Sequence, residues 1–142
     1  MKGSFVTALF KDEPLGTFAD GHVFINAPDI VGAEPDPPVG YWRCDIAHDN
    51  QLMWSEKVYA LFGLPGGAPV MRDWAVARYT ETSRAILERL RTYAVSRKLG
   101  FILDAAIRPE GEGDRWIRIL AVPILAKKSR RVVGLHGLKR PL

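Results

Sequence analysis

The sequence predicts an α+β domain in which a five-stranded antiparallel sheet is covered on one face by helices. Strand-like and helix-like segments follow in the order strand, strand, short helices, long helix and three strands. Only compact turns separate the last three strands, which predicts consecutive antiparallel hairpins. The 142 residues amount to about one domain, since domains most often contain roughly 100–150 residues.

The first two strands are predicted from residues 40–54. Apolar and polar side chains alternate over 40–46, which is the period of a half-buried strand, and Trp42 and Cys44 fall on its apolar face. Residues 47–50 read Ala-His-Asp-Asn. Asp and Asn tolerate unusual dihedral angles and accept local backbone hydrogen bonds, so a turn is expected there. Residues 51–54 then pair back as the second strand.

Three helices are predicted to follow. The first begins at Ser55, a natural N-cap, and ends at Gly63. A short second helix is centred on Trp74. The longest spans 82–99, with Gly100 as its C-terminal stop. The apolar stripe of this helix, which we expect to pack in the core, consists of Ile86, Leu87, Leu90, Tyr93 and Ala94.

The predicted sheet is completed by strands over 101–108, 115–125 and 131–138. Residues 1–39 have a different character, because they contain five of the ten prolines, and proline neither continues a helix nor joins a central strand. We therefore predict an acidic, Pro-rich N-terminal extension over 1–39 and one domain over 40–142.

Charge is distributed unevenly between these two parts. The extension has a net charge of −4, whereas the whole chain has a net charge of +4. Its segments 4–10 and 22–25 are apolar enough to form short strands or to dock, which predicts an ordered or semi-ordered arm. The basic residues are concentrated in the last two predicted strands. We expect the arm to lie over these strands, in the same chain or across a dimer, and to regulate access to them.

Several short motifs between residues 40 and 138 resemble those of PAS domains. Gly-x-Trp-x-x-Asp at 40–45 is similar to the first strand of one PAS subclass, the PAS fold-3-like group, and 54–65 is similar to the second strand leading into the first helix. Arg-Trp-Ile-Arg at 115–118 and the segment 131–137 resemble the closing strands. The resemblance implies a sensory or interaction module whose sheet and helices enclose a small cavity.

The chain departs from that family pattern in two places. Tyr-Thr-Glu-Thr at 79–82 replaces the usual His-Pro-Glu-Asp before the long helix. The chain ends in Lys-Arg-Pro-Leu at 139–142, without the Asp-Ile-Thr exit motif that leads into an output domain. If the chain is the whole protein, we expect it to act by binding another molecule.

The family resemblance and strand parity suggest which side chains are near such a cavity. Cys44 is expected to be an inert buried thiol, with covalent or oxidative modification as the alternative. The cavity candidates are Trp42, Cys44, Trp54, Tyr59, Phe62 and Phe101.

Common cofactors are disfavoured by the residues that are missing from the sequence. Helical heme ligation is unexpected because 80–100 contains no histidine, and a flavin–cysteinyl adduct is unexpected because no Asn-Cys-Arg-type motif occurs. A metal site is unexpected because His22, His48 and His136 are scattered and Cys44 is the single cysteine. No nucleophile elbow or phosphate loop occurs, so we do not expect an enzyme.

The leading hypothesis is a single-domain PAS signalling protein that senses a small apolar or aromatic ligand, or none, and acts through a homodimer or a separate signalling protein. No apolar run is long enough for a membrane helix, which predicts a cytoplasmic protein. The alternative is a module that binds nucleic acid or an acidic partner through a basic C-terminal hairpin. The interaction candidates are Arg115, Trp116, Arg118, Lys127, Lys128, Arg130 and Arg131.

Overall fold

The structure is a computed structural model and describes residues 22–26, 39–109 and 112–142. The described helices are α1 (Glu56–Leu61), α2 (Arg72–Ala77) and α3 (Glu81–Arg97). The described strands are β1 (His22–Asn26), β2 (Gly40–Asp45), β3 (Gln51–Trp54), β4 (Leu99–Ile107), β5 (Arg115–Leu125) and β6 (Val132–Pro141). Apart from β1 and residue 39, the predicted N-terminal extension lies outside the described residues.

The strands form one antiparallel sheet in the order β1-β4-β5-β6-β2-β3. Strands β2 to β6 are the five predicted strands, so the predicted α+β fold class is confirmed. The sixth strand, β1, comes from the extension and pairs with β4, with His22 opposite Leu103 and Asn26 opposite Leu99. Part of the extension therefore belongs to the sheet.

The predicted strand–turn–strand unit is confirmed. Trp42 and Cys44 are buried on β2, and Trp42 lies opposite Trp54 on β3. The connection is a 3₁₀ turn (Ile46–His48) followed by Asp49 and Asn50 with φ of 61° and 57°. These left-handed conformations are ones that Asp and Asn adopt more readily than most residues.

Helix α1 begins after Ser55, as predicted, but the serine side chain does not cap the helix. Its hydroxyl accepts a hydrogen bond at 2.9 Å from the backbone N–H of Tyr41 and makes no capping bond to α1. The helix ends at Leu61, and Gly63 takes φ of +72° in the turn that follows. Ser55 thus ties the start of α1 to β2.

The ends of α3 differ from the prediction. Thr80 is the N-cap, because its hydroxyl accepts a hydrogen bond from the backbone N–H of Ser83 at 3.4 Å. The helix was predicted to reach residue 99 with Gly100 as its stop, and this is wrong: it ends at Arg97, Lys98 follows with φ of 57°, and Gly100 already lies within β4. Tyr93, which was predicted to pack in the core, is 39% exposed.

The core lies between the three helices and one face of the sheet, which we call the inner face. Helical residues such as Val58, Leu90 and Ala94 belong to the same buried cluster as Phe101 of β4 and Ile119 of β5. Residues of opposite parity on each strand point to the other side, the outer face. This division decides which side chains can meet in a site.

Candidate functional site

A cavity of about 70 Å³ lies between α2, α3 and the inner face of the sheet. Of the predicted cavity residues, Trp42, Cys44, Trp54 and Phe101 line it.

The other two predicted cavity residues, Tyr59 and Phe62, pack against Trp54. Phe62 stacks on Trp54 with ring centroids 4.6 Å apart, and Tyr59 meets Trp54 edge-on at 5.4 Å. The Tyr59 hydroxyl donates a hydrogen bond to the carbonyl of Ala68 at 2.8 Å. Together they hold the Trp54 ring against the cavity.

Gly137 sets the position of the Trp42 ring. Trp42 lies opposite Gly137, and its indole N–H donates a hydrogen bond to the carbonyl of Leu120 at 3.2 Å. A Cβ atom at Gly137 would lie 1.7 Å from that same carbonyl oxygen. Only glycine allows this approach, so the ring position depends on a residue without a side chain.

The most unusual group in the cavity wall is the amine of Lys139 on β6. This side chain lies on the inner face, and the residue is only 8% exposed. Its Nζ donates a hydrogen bond to the Tyr79 hydroxyl at 3.0 Å. The centroids of four rings lie 5.1 to 5.8 Å from Nζ. We call these rings the aromatic cage: Trp42, Trp54, Phe62 and Tyr79.

Burial changes the acid–base properties of the Lys139 amine and of the Tyr79 phenol. Burial lowers the pKa of Lys139 to about 7, because desolvation penalises the ammonium form. Burial, together with the charge of Glu88, raises the pKa of the Tyr79 phenol. Among the described residues, no carboxylate lies within ion-pair distance of Nζ. Near neutral pH the phenol is therefore protonated, while the amine exists in both charge states.

A second set of polar groups lines the cavity from α2 and α3, and we call it the polar rim: Arg72, Glu88 and Arg91. Arg72 forms an ion pair with Glu88, whose side chain is 41% exposed, so this part of the wall reaches solvent. Arg91 donates a hydrogen bond to the amide oxygen of Asn50 at 2.6 Å. The polar rim thus holds two cations and one anion.

Solved structures show which known fold this arrangement has. Neither a protein-family model nor a curated protein matches the sequence. The N-terminal domain of a diguanylate cyclase with PAS/PAC sensor from Marinobacter aquaeolei superposes with a TM-score of 0.64 at 14% identity, over 72% of this chain and 94% of that one. A PAS domain from Colwellia psychrerythraea gives 0.61 at 14% identity, over 74% and 86%. The chain has the PAS fold.

A light-state dimer is also among the solved structures similar to this PAS fold. The fungal blue-light photoreceptor Vivid superposes with a TM-score of 0.60 at 11% identity, over 80% of this chain and 84% of that one. In this PAS fold the cavity lies between the sheet and the helices, where the resemblance predicted one.

The outer face of the PAS sheet contains a second buried cation, Arg118. Its Nε and Nη2 donate hydrogen bonds to the two carboxylate oxygens of Asp104 at 2.6 and 2.9 Å, and Arg118 has no exposed surface. Arg118, one of the predicted interaction candidates, is therefore buried on the outer face. Asp104 lies directly opposite it across β4 and β5.

The remaining interaction candidates are at the surface. Trp116 is 54% exposed on the outer face. Arg115 is held by the carbonyls of Ala60 and Leu61 and by an ion pair with Glu112. Four exposed cations occupy the turn between β5 and β6: Lys127, Lys128, Arg130 and Arg131. We call this turn the basic hairpin.

His136 and His48 each bond to another side chain. His136 shares a hydrogen bond of 3.0 Å between its Nδ1 and the Tyr41 hydroxyl, and His48 is paired with Asp45. Within the described ranges, no three His, Cys, Asp or Glu side chains are grouped as metal ligands would be. Over the same ranges, no helix has the length and hydropathy needed to cross a membrane.

Sequence reasoning missed the central residue of the site, Lys139. The last strand was predicted to end at Leu138, three residues before the end of β6 at Pro141, so the prediction left Lys139 outside the sheet. A usable signal was present, because Leu135, Gly137 and Lys139 share one strand parity and Leu135 faces the core. A lysine in phase with core residues indicates a buried amine.

Proposed function

We propose that this PAS domain is a signalling module that senses whether its inner cavity is occupied and passes that state to a second copy or a separate signalling protein. The observation that carries the proposal is the cavity beside the buried Lys139 amine, enclosed by α2, α3 and the sheet. The likeness to a domain from a cyclase with PAS/PAC sensor supports a sensory role. Catalytic turnover is not part of the proposal.

The proposed mechanism is a shift between two arrangements of helices on the sheet. Ala75 and Val76 of α2 and Leu87 of α3 line the cavity on the helical side. An occupant would favour helix positions that accommodate it, and those positions would differ in the surface they present to a partner. The Vivid light-state dimer is a structural neighbour in which the partner is a second copy.

The size of the cavity restricts the class of ligand. Drug-sized and cofactor-sized ligands occupy pockets of roughly 300–1,000 Å³, whereas this cavity measures about 70 Å³. The volume supports a ligand of a few non-hydrogen atoms. A larger aromatic ligand would require α2 or α3 to move.

A cavity-filling substitution tests the proposal without knowing the ligand. Ala75→Leu places extra volume in the cavity and imitates an occupant, whereas Ala77→Leu adds the same volume on the exposed side of α2. We expect Ala75→Leu, but not Ala77→Leu, to change amide hydrogen exchange in α2 and α3. We also expect it to change self-association in sedimentation experiments or binding of a co-purified partner. If the two variants behave alike in all these measurements, the proposal is wrong.

The basic hairpin supports a second candidate function, binding of nucleic acid. Its four cations are exposed, and they project from one turn. Binding to single-stranded DNA should weaken steeply with added salt because neutralised phosphates release counterions. Replacing all four cations with glutamine should abolish binding, whereas the same change at Arg84 and Arg97 on α3 should not. Affinity that is independent of salt would contradict this candidate.

A further inference from the structure

We propose that the amine of Lys139 captures a small carbonyl compound as a reversible imine, and that the compound is an aldehyde or ketone that also carries a carboxylate. The inference rests on the proposed function, because it names the ligand class that the cavity would sense. The geometry that carries it is a buried amine in the cavity wall, a phenol within hydrogen-bond distance, and a cationic polar rim on the helical side.

The first requirement is an amine that keeps its lone pair. An ammonium group has none, and exposed lysines are almost entirely ammonium near neutral pH because their pKa is about 10.4. Lys139 is surrounded by the aromatic cage, and burial lowers its pKa to about 7. Desolvated lysines of this kind serve as nucleophiles toward carbonyl groups in other proteins.

Charged groups line the cavity from several elements. Arg72 on α2 and Glu88 on α3 are paired with each other, and Arg91 on α3 lines the same cavity. Cys44 on β2 also lines the cavity and, when ionised, raises the pKa of Lys139. Desolvation is the larger influence, so the balance favours the amine.

The second requirement is a proton donor. The Tyr79 hydroxyl lies 3.0 Å from Nζ, and the raised pKa of its phenol keeps it protonated near neutral pH. Nζ attacks the carbonyl carbon, a C–N bond forms as the C=O π bond opens, and the oxygen takes up a proton from the nitrogen. The carbinolamine hydroxyl then leaves as water with the proton from Tyr79, and a nitrogen proton returns to Tyr79. The sum is amine plus carbonyl compound giving imine plus water, with no change of oxidation state.

The third requirement concerns the rest of the ligand. Arg91 is bonded to the neutral amide of Asn50, and Arg72 already has Glu88 as its partner. With two cations and one anion, the polar rim carries an excess positive charge that a carboxylate would neutralise. Because the carbonyl oxygen leaves as water, the captured fragment is smaller than the free ligand. This suits a cavity of about 70 Å³.

Reductive trapping tests the proposal on the full chain. The protein is incubated near neutral pH with glyoxylate, the smallest aldehyde that carries a carboxylate, and cyanoborohydride is added to reduce any imine to a stable secondary amine. We expect intact-mass measurement to show one addition, equal to the probe less one oxygen atom. Peptide mapping should place it on Lys139.

The exposed lysines Lys57, Lys98 and Lys127 are internal references in the same sample. Their neutral fraction near pH 7 is roughly a thousandth, so Lys139 should be modified at least about a hundred times faster. Lys139→Met should remove the fast reaction. Arg91→Met should slow the modification of Lys139 by glyoxylate and leave its modification by the neutral aldehyde propanal unchanged. Arg84→Met, on the exposed side of α3, should alter neither.

Modification of Lys139 at the rate of the exposed lysines in the folded wild-type chain would overturn the inference, even if Lys139→Met did not fold. That failure is distinguishable from failure of the proposed function. If glyoxylate still induces NMR shifts in folded Lys139→Met, it binds in the cavity without a covalent bond. That result would contradict covalent capture but not cavity sensing. The comparison of Ala75→Leu with Ala77→Leu tests cavity sensing without Lys139 chemistry.

Discussion

Two buried cations lie on adjacent strands of this sheet but on opposite faces. Arg118 of β5 is on the outer face, where its guanidinium meets both oxygens of Asp104. Lys139 of β6 is on the inner face, where its amine meets four aromatic rings and the Tyr79 hydroxyl. Both are almost completely shielded from water, with exposures of 0% and 8%.

The difference shows that burial alone does not make a charged group functional. The planar guanidinium of Arg118 matches the two carboxylate oxygens of Asp104. Lys139 has a compact amine with no carboxylate within ion-pair distance among the described residues, and it can give up its proton instead. We therefore assign a structural role to the outer pair and a chemical one to the inner amine.

The largest expected effect follows from removing the carboxylate on the outer face. Asp104→Asn keeps the shape but leaves Arg118 without its bidentate partner, and removing one member of a buried ion pair costs about 3–5 kcal/mol. Urea denaturation should show this loss in the free energy of unfolding. Replacing both residues, as Asp104→Leu with Arg118→Met, should recover most of it. A loss in Asp104→Asn of less than about 1 kcal/mol would contradict the structural role.

An intermediate and pH-dependent effect is expected from Lys139→Met. The pKa of Lys139 falls from 10.5 in the unfolded chain to about 7 in the folded one, so the unfolded chain binds more protons between these values. Wild-type stability should therefore rise with pH across this window and be lowest below about pH 7. The difference between wild type and Lys139→Met should change by a few kcal/mol across it. Denaturation curves with parallel pH dependences would show that the lysine does not titrate there.

The smallest effect is expected at an exposed ion pair. Arg108 and Asp114 are joined at 2.7 Å, but their side chains are 64% and 47% exposed. The hydrogen bond from Arg108 lowers the pKa of Asp114, yet water and salt screen such pairs strongly. Asp114→Asn should leave the melting temperature almost unchanged at physiological salt. A shift as large as that of Asp104→Asn would mean that burial is not what separates the two pairs.

Alternation and turn chemistry in the sequence predicted the strands, and the family resemblance together with strand parity predicted part of the cavity wall. Trp42, Cys44, Trp54 and Phe101 line the cavity because a period of two places them in phase with the core. The end of α3 was predicted wrongly, because Lys98 adopts a left-handed conformation that glycine was expected to supply. The preferences of single residues for ending a helix are small, and the tertiary contacts of the strand that follows α3 override them.

By itself, the sequence determined which segments are strands, which are helices, and which strand faces are apolar. These properties depend on neighbouring residues, because side-chain direction repeats every two residues in a strand and every 3.6 in a helix. The tertiary structure alone decided the states of the two cations. Lys139 and Tyr79 are 60 residues apart, and Arg118 and Asp104 are 14 apart. Desolvation and hydrogen-bond partners depend on strand register and helix placement, which bring such distant residues into contact.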